Sequence, residues 1–137
     1  MKAYFTRAYT ISASHRLHAD SLSPEENQAT YGKCNNPHGH GHNYRIEATV
    51  GGEIEPATGM VINMAVLDEV VQKQVIVRFD HMNLNLDLLF AHQVSTTENL
   101  CIAVFDLLQP ALKPAILEKV RIEETENNFF EYSGAQL

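Results

Sequence analysis

Near the N-terminus, Ala3, Phe5, Tyr9, Ile11, Ala13 and His15 share one parity, broken only by Arg7, while Thr6, Thr10, Ser12 and Ser14 share the other. A period of two is that of a strand with one face buried, so this stretch predicts a half-buried strand. Tyr44, Ile46, Ala48 and Val50 alternate in the same way with Asn43, Arg45, Glu47 and Thr49, giving a second strand that ends at Gly51-Gly52. Arg16 to Gly39 lies between them, rich in Asn, Ser, Gly and Pro, and reads as a long polar loop of the kind a compact domain keeps for function. Two strands joined this way are expected to pair antiparallel.

The period then changes. Asn63 is placed to cap a helix whose Met64, Leu67, Val71 and Val75 recur every three to four residues, which predicts a helix over 64–77. Ser95-Thr96-Thr97-Glu98 fits a capping box, with Glu98 answering Ser95. Leu100, Val104, Leu107, Leu108 and Ala111 follow at helical spacing until Pro110 and Pro114 stop the element. Cys101, Ile102 and Phe105 widen this second helix beyond one apolar stripe, so a partner subunit is expected to cover part of it. Val120, Ile122 and Glu124 alternate with Lys119, Arg121 and Glu123, and Asn127-Asn128 turns the chain into Phe129 to Tyr132, a closing hairpin. The order strand, strand, helix, helix, strand, strand predicts an α+β fold: a four-stranded antiparallel sheet with both helices on one face.

The chain of 137 residues has the size of one domain, and its 45% hydrophobic content is enough for a packed core, so 1–137 is read as a single domain. Ten Lys and Arg against 17 Asp and Glu give a net charge of −7, the wrong sign for binding nucleic acid phosphates. No apolar run reaches the length of a membrane span, and Met1 to Ser14 does not read as a targeting sequence. Cys34 and Cys101 are too few for a disulfide framework, and Cys101 falls in the second helix as a buried thiol. The expected setting is cytoplasmic, with no membrane partner.

The chemistry concentrates where the first two strands meet. His40 and His42 continue the inward row of Tyr44, Ile46 and Ala48, while His15 ends the matching row of the first strand. In an antiparallel hairpin those ends adjoin, so three imidazoles can converge to make a zinc site with an open fourth position, the arrangement of catalytic zinc; polar surface or satisfied core histidines are the alternative. Gly39 and Gly41 would let backbone approach closely. His38 reads as a loop residue, and His18 and His92 as surface residues. Cys34, preceded by Lys33, is a base or nucleophile if its thiol ionises near the metal; a fourth ligand or an inert thiol are the alternatives. Asp80-His81 has the form of a carboxylate-held proton shuttle, or simply of a helix end. Glu124 would set a carboxylate against apolar surface, a costly position unless a ligand with N–H groups pairs with it; otherwise it is an exposed strand-end residue. Arg16, Lys33 and Arg45 are the positively charged residues near enough in sequence to meet an anion.

Read together, Ser12-Ala13-Ser14-His15, Gly32-Lys33-Cys34-Asn35-Asn36-Pro37, His40-Gly41-His42-Asn43-Tyr44, Asp80-His81, Ser95-Thr96-Thr97-Glu98-Asn99 and Glu124-Thr125-Glu126-Asn127-Asn128 closely resemble the 6-pyruvoyl-tetrahydropterin synthase family. Five residues separate Cys34 from the His-Gly-His run, a gap that favours the pyruvoyl branch over the related 6-carboxy-tetrahydropterin synthases of the queuosine pathway, in which it is shorter. A branch that cleaves dihydroneopterin carries a glutamate beside or instead of the cysteine, where this chain has Asn35.

The resemblance implies a zinc-dependent carbon–oxygen lyase. Its substrate, 7,8-dihydroneopterin triphosphate, loses triphosphate and rearranges by internal redox to 6-pyruvoyl-tetrahydropterin, a step of tetrahydrobiopterin-type synthesis. It further implies that His15, His40 and His42 bind zinc, that Cys34 is the proton-abstracting base served by Asp80 and His81, and that Glu124 anchors the pterin with Thr96, Thr97 and Glu98. It also implies the tunnelling fold, a barrel-like homohexamer of two trimers with sites at subunit interfaces. A cupin-like protein shares the His-x-His element, but Glu47 has the wrong parity for its metal face. A noncatalytic zinc module is the remaining alternative; it would tolerate Cys34→Ala.

Overall fold

The computed structural model describes residues 1–135. Strand β1, Lys2–His15, pairs antiparallel with β2, His40–Glu53, along its whole length, in a register that sets Ile11 against Tyr44, Ala13 against His42 and His15 against His40. The parity read from sequence holds: Ile11, Ala13, Tyr44, Ile46, Ala48 and Val50 are all buried. Strand β4, Ile116–Thr125, pairs with β2, and β5, Asn128–Tyr132, closes the second hairpin. On the opposite face Thr6 and Thr49 bond hydroxyl to hydroxyl at 2.7 Å, and Arg121 reaches Glu47 at 2.7 Å and Glu123 at 2.9 Å. That face is polar, so an apolar cover is not demanded of it.

The sheet nevertheless differs from the expectation of four antiparallel strands. A two-residue strand β3, Met82–Asn83, pairs parallel with Ala13 and Ser14, making a five-stranded mixed sheet of order β3-β1-β2-β4-β5. Two residues carry no readable period, and β3 exists because the His81 N–H is held by the Ser12 carbonyl at 2.6 Å.

The polar connection also departs from its reading as loop, because it contains helix α1, Pro24–Tyr31. Ser23 and Glu26 form a reciprocal capping box and Pro24 opens the first turn, all favourable signals. The helix buries Asn27 instead of an apolar stripe. The Asn27 amide accepts from Ala19 N–H at 2.8 Å and donates to the Ala19 carbonyl at 3.0 Å. A helix fastened by one amide is invisible to a hydrophobic period.

Helix α2, Met64–Val71, is capped by Asn63 and runs on through a π-helical stretch, Gln72–Ile76, and a last turn, Val77–Phe79. Leu67, Val71, Val75 and Phe79 are fully buried, while Met64 stays largely exposed. Helix α3, Thr97–Leu112, is capped by Thr96, which accepts the Asn99 N–H at 3.2 Å; Ser95 with Glu98 is not the cap. Pro110 lies inside the helix instead of ending it, since its missing N–H deprives only the carbonyl of exposed Asp106 in the last turns. Most of the wide apolar face is buried within the chain, though Ile102 stays exposed. Leu100, Cys101, Val104, Phe105 and Leu108 are buried, and Tyr132 of β5 packs edge-on against Phe105 at 5.1 Å. Among the described helices none is long and apolar enough to cross a membrane.

Candidate metal and active site

The β1–β2 register delivers what the parity promised. His15, His40 and His42 offer ring nitrogens within 4.8 Å of one another, and their ring centroids stand 4.7, 5.3 and 4.8 Å apart. His15 is buried, and its Nδ1 donates to the Ser95 carbonyl at 2.6 Å, which leaves Nε2 as the lone-pair nitrogen. That Nε2 faces His40 Nε2 at 3.1 Å, and His42 Nε2 is buried with no hydrogen-bond partner. An orphaned buried nitrogen is costly in a protein interior. A cation held by the three rings satisfies it, so the donor set fits a metal.

Burial lowers the basicity of both His15 and His42; at His15 the neighbouring imidazoles add to it and the Ser95 bond opposes it, while at His42 the charge of Glu124 opposes it. Rings kept neutral are rings ready to ligate. Gly39, at φ 72°, is needed for the approach: a Cβ there would lie 3.0 Å from the His15 carbonyl oxygen. At Gly41 the nearest atom would be at 3.5 Å, an ordinary contact.

Glu124 keeps its inward parity where the β4–β5 register slips between Glu123 and Thr125, and its carboxylate is largely covered. Oε2 accepts the Thr97 hydroxyl, and Oε1 lies 3.9 Å from His42 Nε2. Thr97, at the start of α3, is thus joined to Glu124. Thr96 acts as the helix cap, and Glu98 is exposed in the first turn. Tyr44, which the sequence reading left in the core, belongs to the site. Its hydroxyl lies 3.4 Å from His15 Nδ1, and burial, followed by the charges of Glu124 and Cys34, raises its pKa well above the usual tyrosine value. Its place in the His40–His42 row was the available signal.

Cys34 sits in a short 3-10 turn, Gly32–Asn35, half-buried and as a free thiol. It stands outside the three-histidine cluster. Asp80 and His81 are placed differently. Asp80 Oδ1 accepts the Ser12 N–H at 2.9 Å, the main cause that holds its pKa down, and Oδ2 lies 3.1 Å from His81 Nδ1. His81 has φ 61°, a left-handed conformation rare outside glycine, and its side chain is 81% exposed. It lines a shallow cleft over Ser12–Ser14 and Gly41–Asn43 at the β1 edge. Of the positively charged residues, Arg16 spends its Nε on the Asn35 carbonyl, Lys33 is exposed, and Arg45 lies on the polar face with Glu47.

Three imidazoles at the rim of an α+β sheet, with a largely covered carboxylate beside them, are placed to hold a metal ion. Residues 4–135 match the model of the 6-pyruvoyl tetrahydropterin synthase family. The chain is 48% identical over 134 residues to the 6-pyruvoyl tetrahydrobiopterin synthase of Homo sapiens, covering 97% of this chain and 92% of that one. It is also 48% identical to that of Drosophila melanogaster, covering 96% of this chain and 80% of that one. The structure of Caenorhabditis elegans 6-pyruvoyl tetrahydropterin synthase superposes with a TM-score of 0.94 at 42% identity, covering 98% and 97% of the two chains. The chain belongs to the 6-pyruvoyl tetrahydropterin synthase family.

Proposed function

We propose that this protein converts 7,8-dihydroneopterin triphosphate to 6-pyruvoyl-tetrahydropterin and triphosphate, using zinc held by His15, His40 and His42. The observation that carries the reading is the juxtaposition of that cluster with Glu124 and Thr97, which pairs a metal site with a covered carboxylate suited to a pterin's N–H groups. Neutral imidazoles with room for an oxygen ligand favour zinc over harder cations. Bound there, zinc supplies Lewis acidity to side-chain hydroxyls of the substrate. Glu124 anchors the ring and fixes its distance from the rim, with Thr97 holding the carboxylate in place. Cys34 takes a proton from the side chain and His81, oriented by Asp80, returns one, so the redox change stays inside the substrate. Tyr44 closes the floor of the site and keeps water from His15.

Asp80 and His81 lie at the β1 edge, His81 exposed and Asp80 half-buried, beside the polar row of Ser12 and Ser14. Their use in catalysis therefore calls for a second copy, so that His81 of one chain meets Cys34 of another. Leu86 and Leu88, 83% and 86% exposed just beyond His81, supply the apolar surface for such an assembly. This supports the homohexamer that the family resemblance implied, with 1–137 acting as one domain in a cytoplasmic setting suited to its two free thiols. Turnover of zinc-loaded protein with 7,8-dihydroneopterin triphosphate, followed by triphosphate release and by mass of the pterin, tests the reading. A 6-pyruvoyl product supports it. A 6-carboxy product moves the protein to the queuosine branch, and no turnover with zinc bound leaves a binding module.

A further inference from the structure

The distance between Cys34 and the metal rim is not set by the sheet. Sixteen residues, including α1, separate Leu17 from Cys34, and no strand ladder joins the two segments. What joins them is a group of four hydrogen bonds. The Leu17 N–H donates to the Cys34 carbonyl at 2.9 Å, and Arg16 Nε donates to the Asn35 carbonyl at 3.0 Å. The Asn35 amide nitrogen donates to the Leu17 carbonyl at 2.7 Å and to His18 Nδ1 at 3.3 Å. Asn35 is 5% exposed, a buried polar side chain whose two N–H groups are both used.

The segment gripped in this way directly continues His15. Its far side is held too, since the Asn85 amide accepts the Arg16 N–H at 2.7 Å and donates to the Arg16 carbonyl at 2.9 Å, as a neighbouring strand would. Arg16–His18 is therefore a rigid strap between the metal ligand and the cysteine turn.

We propose that Asn35 is a positioning residue that holds the Cys34 sulfur in register with the three-histidine centre; this rests on the reading of Cys34 as the proton-abstracting base. Asn35 touches neither metal nor substrate and acts through the backbone of Cys34. Replacing its amide by a carboxylate keeps the volume but removes the donors, so the Leu17 carbonyl meets a lone pair and the turn shifts. A misplacement of about 1 Å at a catalytic group costs on the order of 100-fold in rate.

The test uses full-length, zinc-loaded Asn35→Asp and Asn35→Gln, with Cys34→Ala alongside. The expected result is a kcat lowered on the order of 100-fold with KM and zinc content unchanged. Alkylation of Cys34 by iodoacetamide should also change in rate, read by mass spectrometry against buried Cys101. Unchanged kcat and alkylation in both variants would overturn the inference, as would a loss of activity that only tracks a loss of zinc. Full turnover by Cys34→Ala would instead sink the base assignment, and alkylation would still report whether Asn35 fixes the turn.

Discussion

The inner rim and the β1 edge both carry histidine chemistry, but they are built in opposite ways. At the rim, His15, His40 and His42 are fixed by strand register, with Ser95 orienting one ring and Thr97 the neighbouring carboxylate. At the edge, Asp80 is gripped by one backbone N–H while His81 projects into solvent from a strained backbone. The rim is preorganised by the chain's own packing. The edge is preorganised in its backbone, while the His81 side chain stays exposed. On the proposed function, a single chain thus holds all three metal ligands but only part of the proton relay.

Breaking the rim should have the largest effect. His40→Ala leaves two imidazoles, so dialysed protein should retain no stoichiometric metal and show no turnover, while circular dichroism stays native because the core lies deeper in the sheet. Metal retained at full occupancy would contradict the three-ligand centre. Breaking the edge should leave the rim intact. His81→Ala should keep its zinc and lose on the order of 10²- to 10⁴-fold in kcat, with the KM changed little. Zinc loss in that variant would show that the two regions are not separable.

Smaller perturbations sharpen the contrast. Thr97→Val removes the hydroxyl that fixes Glu124, and a charge-assisted hydrogen bond contributes about 1.5–3 kcal/mol, so KM should rise roughly 10- to 100-fold while metal content stays constant. An unchanged KM would dissociate Glu124 from ring binding. Near the edge, Arg78 grips Asp87 through two bonds of 2.8 and 2.9 Å, which hold the Asp87 pKa below the usual carboxylate range against the opposing effect of its burial. A depressed carboxylate contributes stability that is present above its unfolded pKa of about 3.9 and is lost as pH falls through the lower folded value. Asp87→Asn should cost about 1 kcal/mol at neutral pH, discounted because the guanidinium is partly exposed, and should flatten the acid limb of the unfolding curve.

Much of the rim was legible because strand parity and histidine spacing are the same signal: whatever buries Ile11 and Tyr44 also aims His15 and His42 inward. The inward turn of Glu124 followed from the same rule. The edge was not legible, since the side on which His81 falls depends on a left-handed backbone angle and on Asp80 holding Ser12, neither of which has a period. The cap moved from Ser95 to Thr96 because Ser95 is buried with its carbonyl facing His15, a tertiary demand that a local motif cannot record. Helix α1 carried a legible Ser23–Glu26 capping box, but its polar anchorage through Asn27 hid it from a search for apolar stripes. Of the residues that widen α3, Cys101 and Phe105 are buried within the chain, while Ile102 stays exposed.

The central claim, a rim complete in one chain and served by His81 of another, is tested most directly by mixing two inactive variants. Cys34→Ala and His81→Ala, each zinc-loaded, are dissociated, combined in equal amounts and reassembled. Random assortment should restore roughly a quarter of the wild-type activity, because that share of sites pairs an intact Cys34 with an intact His81 from a different chain. Reassembled mixtures that stay as inactive as their parents would contradict the account and place both groups in one chain's site.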